Sequence, residues 1–365
     1  MEIQPRGVRR VSSGWRAGPA AAILSAFLFG ATTPIAKYFL EDAGPLLIAG
    51  LLYLGSGIGL TAMRVIQDRR WNPSGLQRAD YPWLAGATIT GGMLAPALFM
   101  LGLARSDAST ASLLLNMEAV FSALVAWLLF REATSRRVVL GFFAILAGCA
   151  LLSWPSKLVL TGAPLGPLCV VAACFCWGLD NNLTRNISAA DSRVIAAIKG
   201  LIAGATNTVL AVSMGATFPA APRLVGTLTL GFLGYGVSLV LFIVSLRNLG
   251  TARTGAYFAT SPFIGTALAV VLYQEPITAA FYLASGLMAL GVWLHVTEHH
   301  AHEHEHGPMT HTHEHTHDAH HQHEHVPPLD PQSHPTEPHT HTHSHGFLRH
   351  SHAHFPDIHH GHRHD

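Results

Sequence analysis

The sequence predicts an all-α membrane protein: ten transmembrane helices arranged as a five-plus-five inverted repeat, followed by a disordered C-terminal tail. Three observations carry this fold class. Charged residues make up only 12% of the 365-residue chain and its mean hydropathy is +0.32, where soluble domains are about a quarter charged. Apolar windows long enough to cross a bilayer recur with short polar breaks between them. The third is an internal copy. Sliding the chain forward by 143 residues lays Glu132 on Glu275, Gly148 on Gly291, Leu103 on Leu246, Gly91 on Gly234 and Leu98-Phe99 on Leu241-Phe242.

Residues 1–17 form a basic segment that runs directly into apolar sequence of spanning length, which reads as an uncleaved first helix with a cytoplasmic amino end. The windows place helices at 18–40, 45–65, 82–104, 108–130 and 137–154, and, after a linker at 155–164, at 165–184, 194–213, 223–246, 252–273 and 277–297. The two repeats are therefore 18–154 and 165–297, and the tail is 298–365. Fifteen basic residues fall in segments on one side: Arg6, Arg9, Arg10, Arg16, Arg64, Arg69, Arg70, Arg78, Arg131, Arg136, Arg137, Arg185, Arg193, Arg247 and Arg253. Only Arg105, Lys157 and Arg223 fall on the other. The positive-inside rule then puts both termini in the cytoplasm of a bacterial inner membrane. Five helices per repeat is an odd number, so the second copy enters the bilayer upside down, and Glu132 lies inside where Glu275 lies outside. The first helices match at an offset of 148, with Phe29-Gly30 on Trp177-Gly178 and Lys37 on Arg185. Inverted repeats are an architecture of secondary transporters, whose substrate site lies near the midplane between the halves.

Other classes are excluded. The net charge of +1 is spread over short loops, which does not suit nucleic acid. No phosphate-binding glycine loop or nucleophile constellation supports an ATP-driven pump or an enzyme. Cys149, Cys169, Cys174 and Cys176 lie within apolar runs and read as small packing residues.

The segments FLFGATTPIAKYF, ASTASLLLNMEAVFSALVAWLLFRE with GFFAILAGCALL, and TARTGAYFATSPFIGTALAVVLYQEP with SGLMALGVWL resemble the two EamA repeats of the drug/metabolite transporter superfamily, over residues 18–297. The resemblance implies a secondary transporter. Its diagnostic part is an aliphatic helix with a mid-helix proline, ending in an acid and followed by a glycine-spaced helix. The second repeat keeps it, with Pro262 and Glu275; the first carries Glu118-Ala119 where the second has Ser261-Pro262.

Glu118 sits about ten residues into its helix, hence about 15 Å deep. A carboxylate there costs at least about 2.5 kcal/mol on insertion scales, so it should face the bundle interior and be protonated, paired or in contact with a cavity. It reads as a substrate ligand or proton-coupling group, or else as a packing residue bonded to Asn116 or Ser122. Asp180, Asn181 and Asn182 on helix six and Lys199 on helix seven lie about 6 and 8 Å from the cytoplasmic end, comparable depths that suit an Asp180–Lys199 ion pair closing the inner vestibule, with Lys199 a gate candidate; snorkelling of Lys199 to the headgroups, with Asp180 interfacial, is the alternative. Lys37 with Glu275 outside and Arg185 with Glu132 inside are symmetry-related gate candidates, or anchors of helix ends. Gly91, Gly92 and Pro96 in one half and Gly231, Gly234 and Gly236 in the other mark interrupted or closely packed helices. Thr32, Thr33, Tyr257 and Ser261 complete the cavity candidates, and Trp177 suits stacking or packing.

All 26 histidines lie at or beyond His295. Beyond residue 298 imidazoles alternate with acids, hydroxyls and small residues, a composition that forms no core. His302, His304, His306, His311, His313, His315, His317, His341, His343, His345, His359, His360, His362 and His364 suit Ni, Co, Zn or Cu. The chain thus reads as an exporter or exchanger of a small organic metabolite, driven by protons, requiring no cofactor, with a metal-binding regulatory tail. Its partners are the bilayer, the solute, protons and metal ions, and a homodimer is compatible. A divalent transition-metal transporter using the tail as chelator, and a metal-sensing membrane protein that moves nothing, are the alternatives.

Overall fold

The computed structural model describes residues 14–67, 75–130, 136–153, 165–187, 190–249 and 251–297, and in the tail 301–306, 309–315, 339–345 and 348–353. Ten helical spans follow one another: α1 (Gly14–Phe39), α2 (Pro45–Gln67), α3 (81–103), α4 (108–130), α5 (Arg136–Ser153), α6 (Leu165–Arg185), α7 (Ser192–Ser213), α8 (221–249), α9 (251–273) and α10 (Ala279–Val296). Each coincides with one predicted window to within a few residues. Nine of them are long and apolar enough to cross a membrane. The tenth is α6, whose second half reads WGLDNNLTR. Its polarity is concentrated where the candidate site lies.

The contacts repeat as the sequence does. A Cβ on Gly30 of α1 would overlap the Ser261 carbonyl of α9, and one on Gly178 of α6 would meet Phe121 and Ser122 of α4. Gly30 and Gly178 are equivalent under the 148 offset, and the 118–122 and 261–265 segments under the 143 offset. The α1–α9 and α6–α4 seams are therefore two copies of one packing. Two other seams are self-paired: Gly57 of α2 faces Gly200 of α7, and Gly141 of α5 faces Gly291 of α10. Small residues let these backbones approach closely, which is how helices associate where lipid removes the hydrophobic drive.

Two kinds of interruption also come in pairs. Residues Thr88–Leu94 of α3 and Phe232–Val237 of α8 are π-helical, so Gly91, Gly92, Gly234 and Gly236 sit in widened turns and Gly231 directly precedes the second. The α4 helix breaks at Leu115-Asn116 and α9 at Ala259-Thr260. In α9 Pro262 ends the first segment, since it offers no N–H and restrains the residue before it. In α4 no proline is present. Asn116 replaces it by donating its side-chain amide to the Leu113 carbonyl at 2.7 Å, while successive i+3 bonds tighten the turn.

The two ends of the bundle differ in burial. Residues Ala108–Leu114 at the start of α4 are buried apart from Thr110, whereas in the equivalent start of α9, among residues 253–257, Arg253 and Tyr257 are exposed and Thr254 is buried. At the α3–α4 end, Tyr273 donates to the Pro34 carbonyl at 2.8 Å, Thr266 to the Ser109 carbonyl at 3.3 Å, and Arg223 pairs with Asp42.

The tail is a separate unit spanning residues 299–356. Its described segments pair as strands: β1 (Ala301–His306) antiparallel with β4 (Leu348–Ala353), and β2 (Met309–His315) with β3 (His339–His345). The alternating X-His pattern has the two-residue period of a strand, and the register sets His304 opposite His350 and His313 opposite His341. His317, His359, His360, His362 and His364 lie outside the described residues.

Candidate functional site

The π-helical turn of α3 creates the first element of the site. The π register pairs Thr90 O with the N–H of Ala95 five residues on. The next carbonyl, Gly91 O, meets Pro96 at that spacing, which has no N–H. This freed acceptor takes the Tyr53 hydroxyl of α2 at 2.9 Å and the Trp177 indole N–H of α6 at 3.1 Å. Asn207 of α7 donates to the Met93 carbonyl in the same turn at 3.1 Å. Irregular backbone at membrane depth is satisfied here by polar side chains from three neighbouring helices.

Gly91 has a second consequence. A Cβ at that position would overlap the Asp180 carboxylate, so the missing side chain is the room into which Asp180 fits. There Asp180 accepts from Lys199 Nζ at 2.5 and 2.7 Å and from the Thr184 hydroxyl at 2.9 Å. Asp180 is 7% exposed. A buried charge of this kind persists only when paired and hydrogen-bonded. The predicted pair is thus formed, and Lys199 does not snorkel away from it.

Next to this pair lies Glu118, in the first turn of the Met117–Phe130 segment of α4. The break at Leu115-Asn116 places it in the turn that restarts the helix, its own N–H bonded to the Leu115 carbonyl at 3.0 Å. Its Oε1 accepts from the Asn181 amide at 2.9 Å, and the same amide donates to Ser122 Oγ at 3.0 Å. Asn182 turns the other way, donating to the Ser122 and Gly178 carbonyls, both at 2.8 Å, and so pins α6 to α4. Neither local partner considered from sequence bonds Glu118 directly: Asn116 caps its own turn, and Ser122 reaches it only through Asn181.

Glu118 keeps accessible surface at the middle of α4, and Asn181 is exposed near the end of α6. The partly exposed Glu118, Tyr53, Tyr235 and Lys199 are read here as the outline of a chamber. Its aromatic wall is Tyr53 with Tyr235, ring centroids 5.5 Å apart, continued by Phe29 at 5.9 Å from Tyr235 and Phe258 at 5.1 Å from Phe29. Asp180, Lys199, Tyr53 and Tyr235 are all within electrostatic reach of the Glu118 carboxylate. Trp177 is packed on Phe99, centroids 5.4 Å apart, and bonded through its N–H, which makes it a wall element held from behind.

The remaining candidates are not brought to this cluster. Thr32, Thr33 and Ser261 are buried at 1%, 3% and 2% exposure in the α1–α9 seam. Thr32 stands where Asp180 stands in the other half, and a Cβ on Gly234 would overlap it as one on Gly91 would overlap Asp180. Tyr257 is 37% exposed at the start of α9.

The gate candidates act on backbone rather than on each other. Lys37 Nζ donates to the carbonyls of Leu103 and Ser106, at 2.7 and 2.5 Å, where α3 ends. Glu275 accepts from the N–H groups of Ala108 and Ser109, at 2.8 and 2.9 Å, where α4 begins. The two charges clasp one turn from either side, each complementing a helix end. Beside them is a 480 Å³ cavity lined by Lys37, Arg105, Ser106, Asp107, Thr110 and Pro167. Arg185 is half-buried on α6, while Glu132 lies outside the described residues.

Residues 16–154 and 164–297 each match the EamA-like transporter family. The chain belongs to that family. It is 27% identical over 292 residues to an uncharacterized transporter of Methanothermobacter thermautotrophicus, covering 76% of this chain and 85% of the relative. It is 23% identical over 271 residues to the uncharacterized inner membrane transporter YedA of Escherichia coli K12, covering 73% and 86%. A solved crystal structure superposes with a TM-score of 0.57 at 17% identity, covering 76% of this chain and 95% of the other, which shows the fold alone. The EamA repeats account for the bundle and end at residue 297, before the histidine tail.

Sequence reasoning passed over Tyr53, Tyr235, Thr184 and Asn207. Each puts a hydroxyl or an amide inside an otherwise apolar span, and Tyr235 lies between Gly234 and Gly236 in the widened turn. A polar group at membrane depth is the signal that points to them.

Proposed function

We propose that this EamA-family membrane protein is a secondary transporter that exports or exchanges a small organic metabolite, with a proton taken up and released at Glu118. The observation that supports this most is a single incompletely bonded carboxylate at midspan, between inverted halves, in a chamber with accessible surface. The groups facing it are Asn181 and Asp180 on α6, Lys199 on α7, Tyr53 on α2 and Tyr235 on α8. Asp180 and Lys199 neutralise each other, so protonation of Glu118 changes the net charge of the chamber. The less tightly closed end, at the start of α9, is the cytoplasmic end by the arginine distribution, which makes this an inward-accessible arrangement. A chamber of one carboxylate, amides and aromatic rings is built for an organic solute; a transition-metal cargo would call for imidazole or thiolate ligands. The tail, rich in those imidazoles, is read as a cytoplasmic binder of Ni, Co, Zn or Cu that regulates the bundle.

The test is proteoliposome flux under an imposed pH gradient, read with an internal pH dye. Glu118→Gln is expected to abolish gradient-driven solute movement while the variant keeps its thermal stability. Unchanged flux and unchanged pH dependence in a well-folded Gln variant would overturn the coupling role. Removing the residues after Val296 should abolish high-affinity metal binding and leave organic flux intact; loss of organic flux on truncation would instead tie the tail to the transport cycle.

A further inference from the structure

The chamber around Glu118 has a charge balance and a shape that narrow what it holds. A carboxylate offers about four acceptor positions, and among the described residues only Asn181 donates to Glu118, at 2.9 Å on Oε1. The neighbouring acid is already spent: Asp180 and Lys199 cancel through contacts of 2.5 and 2.7 Å. The cluster of Glu118, Asp180 and Lys199 therefore carries one net negative charge when Glu118 is ionised, and its cation is committed. An anionic solute would meet Glu118 with Lys199 occupied.

Two tyrosines stand within electrostatic range of this charge. Tyr53 is fixed by its hydroxyl on the Gly91 carbonyl and its ring lies 5.5 Å from that of Tyr235. Aromatic faces carry negative potential and attract cations, most strongly where water is excluded. Spare carboxylate acceptors beside oriented ring faces are complementary to N–H donors carried by a positive charge next to a flat apolar body. A bare metal ion fits less well, because one carboxylate and one amide fall short of the six or more oxygen ligands hard cations take.

We propose that the chamber binds a compact organic amine in its ammonium form, the N–H groups on Glu118 and the apolar body against Tyr53 and Tyr235. This rests on the reading of the Glu118 chamber as the transport site and names its substrate class. The geometry favours primary amines, which bring three donors to the acceptor positions that no protein donor beyond Asn181 takes, over quaternary ammonium, which brings none.

Equilibrium binding of labelled phenethylamine to the purified full-length protein tests this, with phenylacetate and phenylalanine as competitors of the same ring. Saturable binding is expected, weakened at least about tenfold by Glu118→Gln and retained in part by Glu118→Asp. Tyr235→Leu should weaken it by about fivefold. Phenylacetate and phenylalanine should not compete at equal concentration. Binding that survives Glu118→Gln in a variant with native melting temperature, or equal competition by phenylacetate or phenylalanine, overturns the proposal, as does absence of saturable binding for phenethylamine, tyramine and tryptamine alike. The pH-dye assay on the same preparation separates this from the broader reading. Glu118-dependent proton movement without amine binding would leave the transporter reading standing and remove the amine; amine binding without any flux would do the reverse.

Discussion

The α4–α6 seam and the α1–α9 seam are built on one plan, with glycines at equivalent places and helices broken at equivalent turns, yet they have opposite chemistry. In the first, positions 118, 180 and 181 are Glu118, Asp180 and Asn181; in the second their counterparts are Ser261, Thr32 and Thr33. The charged seam keeps accessible surface at Glu118 and Asn181, and the neutral seam is buried at every counterpart. Symmetry supplies the hinges and the close contacts. Departure from symmetry supplies the chamber, since a substrate needs one chemical face and not two.

The most damaging way to probe this contrast is to write the charge into the wrong seam. Ser261→Glu puts a carboxylate where Ser261 is 2% exposed, against the Gly30 backbone, with no Asn181 equivalent to receive it. Loss of about 3 kcal/mol or more is expected, seen as a large drop in detergent melting temperature or failure to express. A Ser261→Glu protein as stable as wild type would show that the α1–α9 seam opens as readily as its copy.

Next in size is the ion pair. Asp180→Asn removes the carboxylate in contact with Lys199 and leaves only the more distant Glu118 as counter-charge, at a site where the Asp180 and Lys199 side chains are 9% and 15% exposed. About 2–3 kcal/mol should be lost, at the lower end of the range for breaking buried pairs because Lys199 keeps some access to water. The double variant Asp180→Asn with Lys199→Met should recover most of that, since a well-packed apolar replacement of a buried pair is often close to neutral. Recovery would identify the pair as a charge-balancing device in the chamber; a double variant as unstable as the single one would point to the Thr184 and Gly91 contacts instead.

A smaller effect separates the two widened turns. A methyl on Gly91 meets the Asp180 carboxylate, and one on Gly234 meets the Thr32 hydroxyl. Asp180 is held by Lys199 and Thr184, whereas Thr32 is held by a bond to Leu28 O in its own helix. Gly91→Ala should cost about 2 kcal/mol, Gly234→Ala about 1 kcal/mol, and only the former should alter solute binding. Equal losses in stability and binding would mean that the two turns are interchangeable.

The architecture was legible in the sequence because its cause is one-dimensional. Helix length is set by bilayer thickness, and a duplicated gene segment leaves a constant offset. The ion pair was legible for the same reason, as depth along a helix follows from residue count. What sequence could not supply was direction around the helix axis. Glu118 falls midway along α4 as read, but was assigned local partners, while its donor, Asn181, comes from another helix. Lys37 and Glu275 were read as partners because they share a level, yet each found a helix end, a backbone charge that no side-chain pattern displays. Tyr53 and Asn207 become part of the site only through carbonyls released by the π-helical turn and Pro96.

The finest contrast is between the two ends of the bundle. Glu275 holds the start of α4 with both carboxylate oxygens, and that segment is buried; the equivalent start of α9 is partly exposed. Glu275→Gln keeps one acceptor and gives up the charge, so about 1 kcal/mol of end-capping should be lost. Such a loss barely moves the melting temperature but shifts a two-state equilibrium about fivefold. In a cysteine-free background, Thr110→Cys at the rim of the 480 Å³ cavity should then react about fivefold faster with an impermeant thiol reagent when Glu275→Gln is present. Lys37→Met should act in the same direction, because it releases the same turn from its α3 side. Unchanged labelling in both would mean that the clasp anchors the helix ends in every state of the protein, and that closure of this end resides in the apolar packing of Ala108–Leu114 alone.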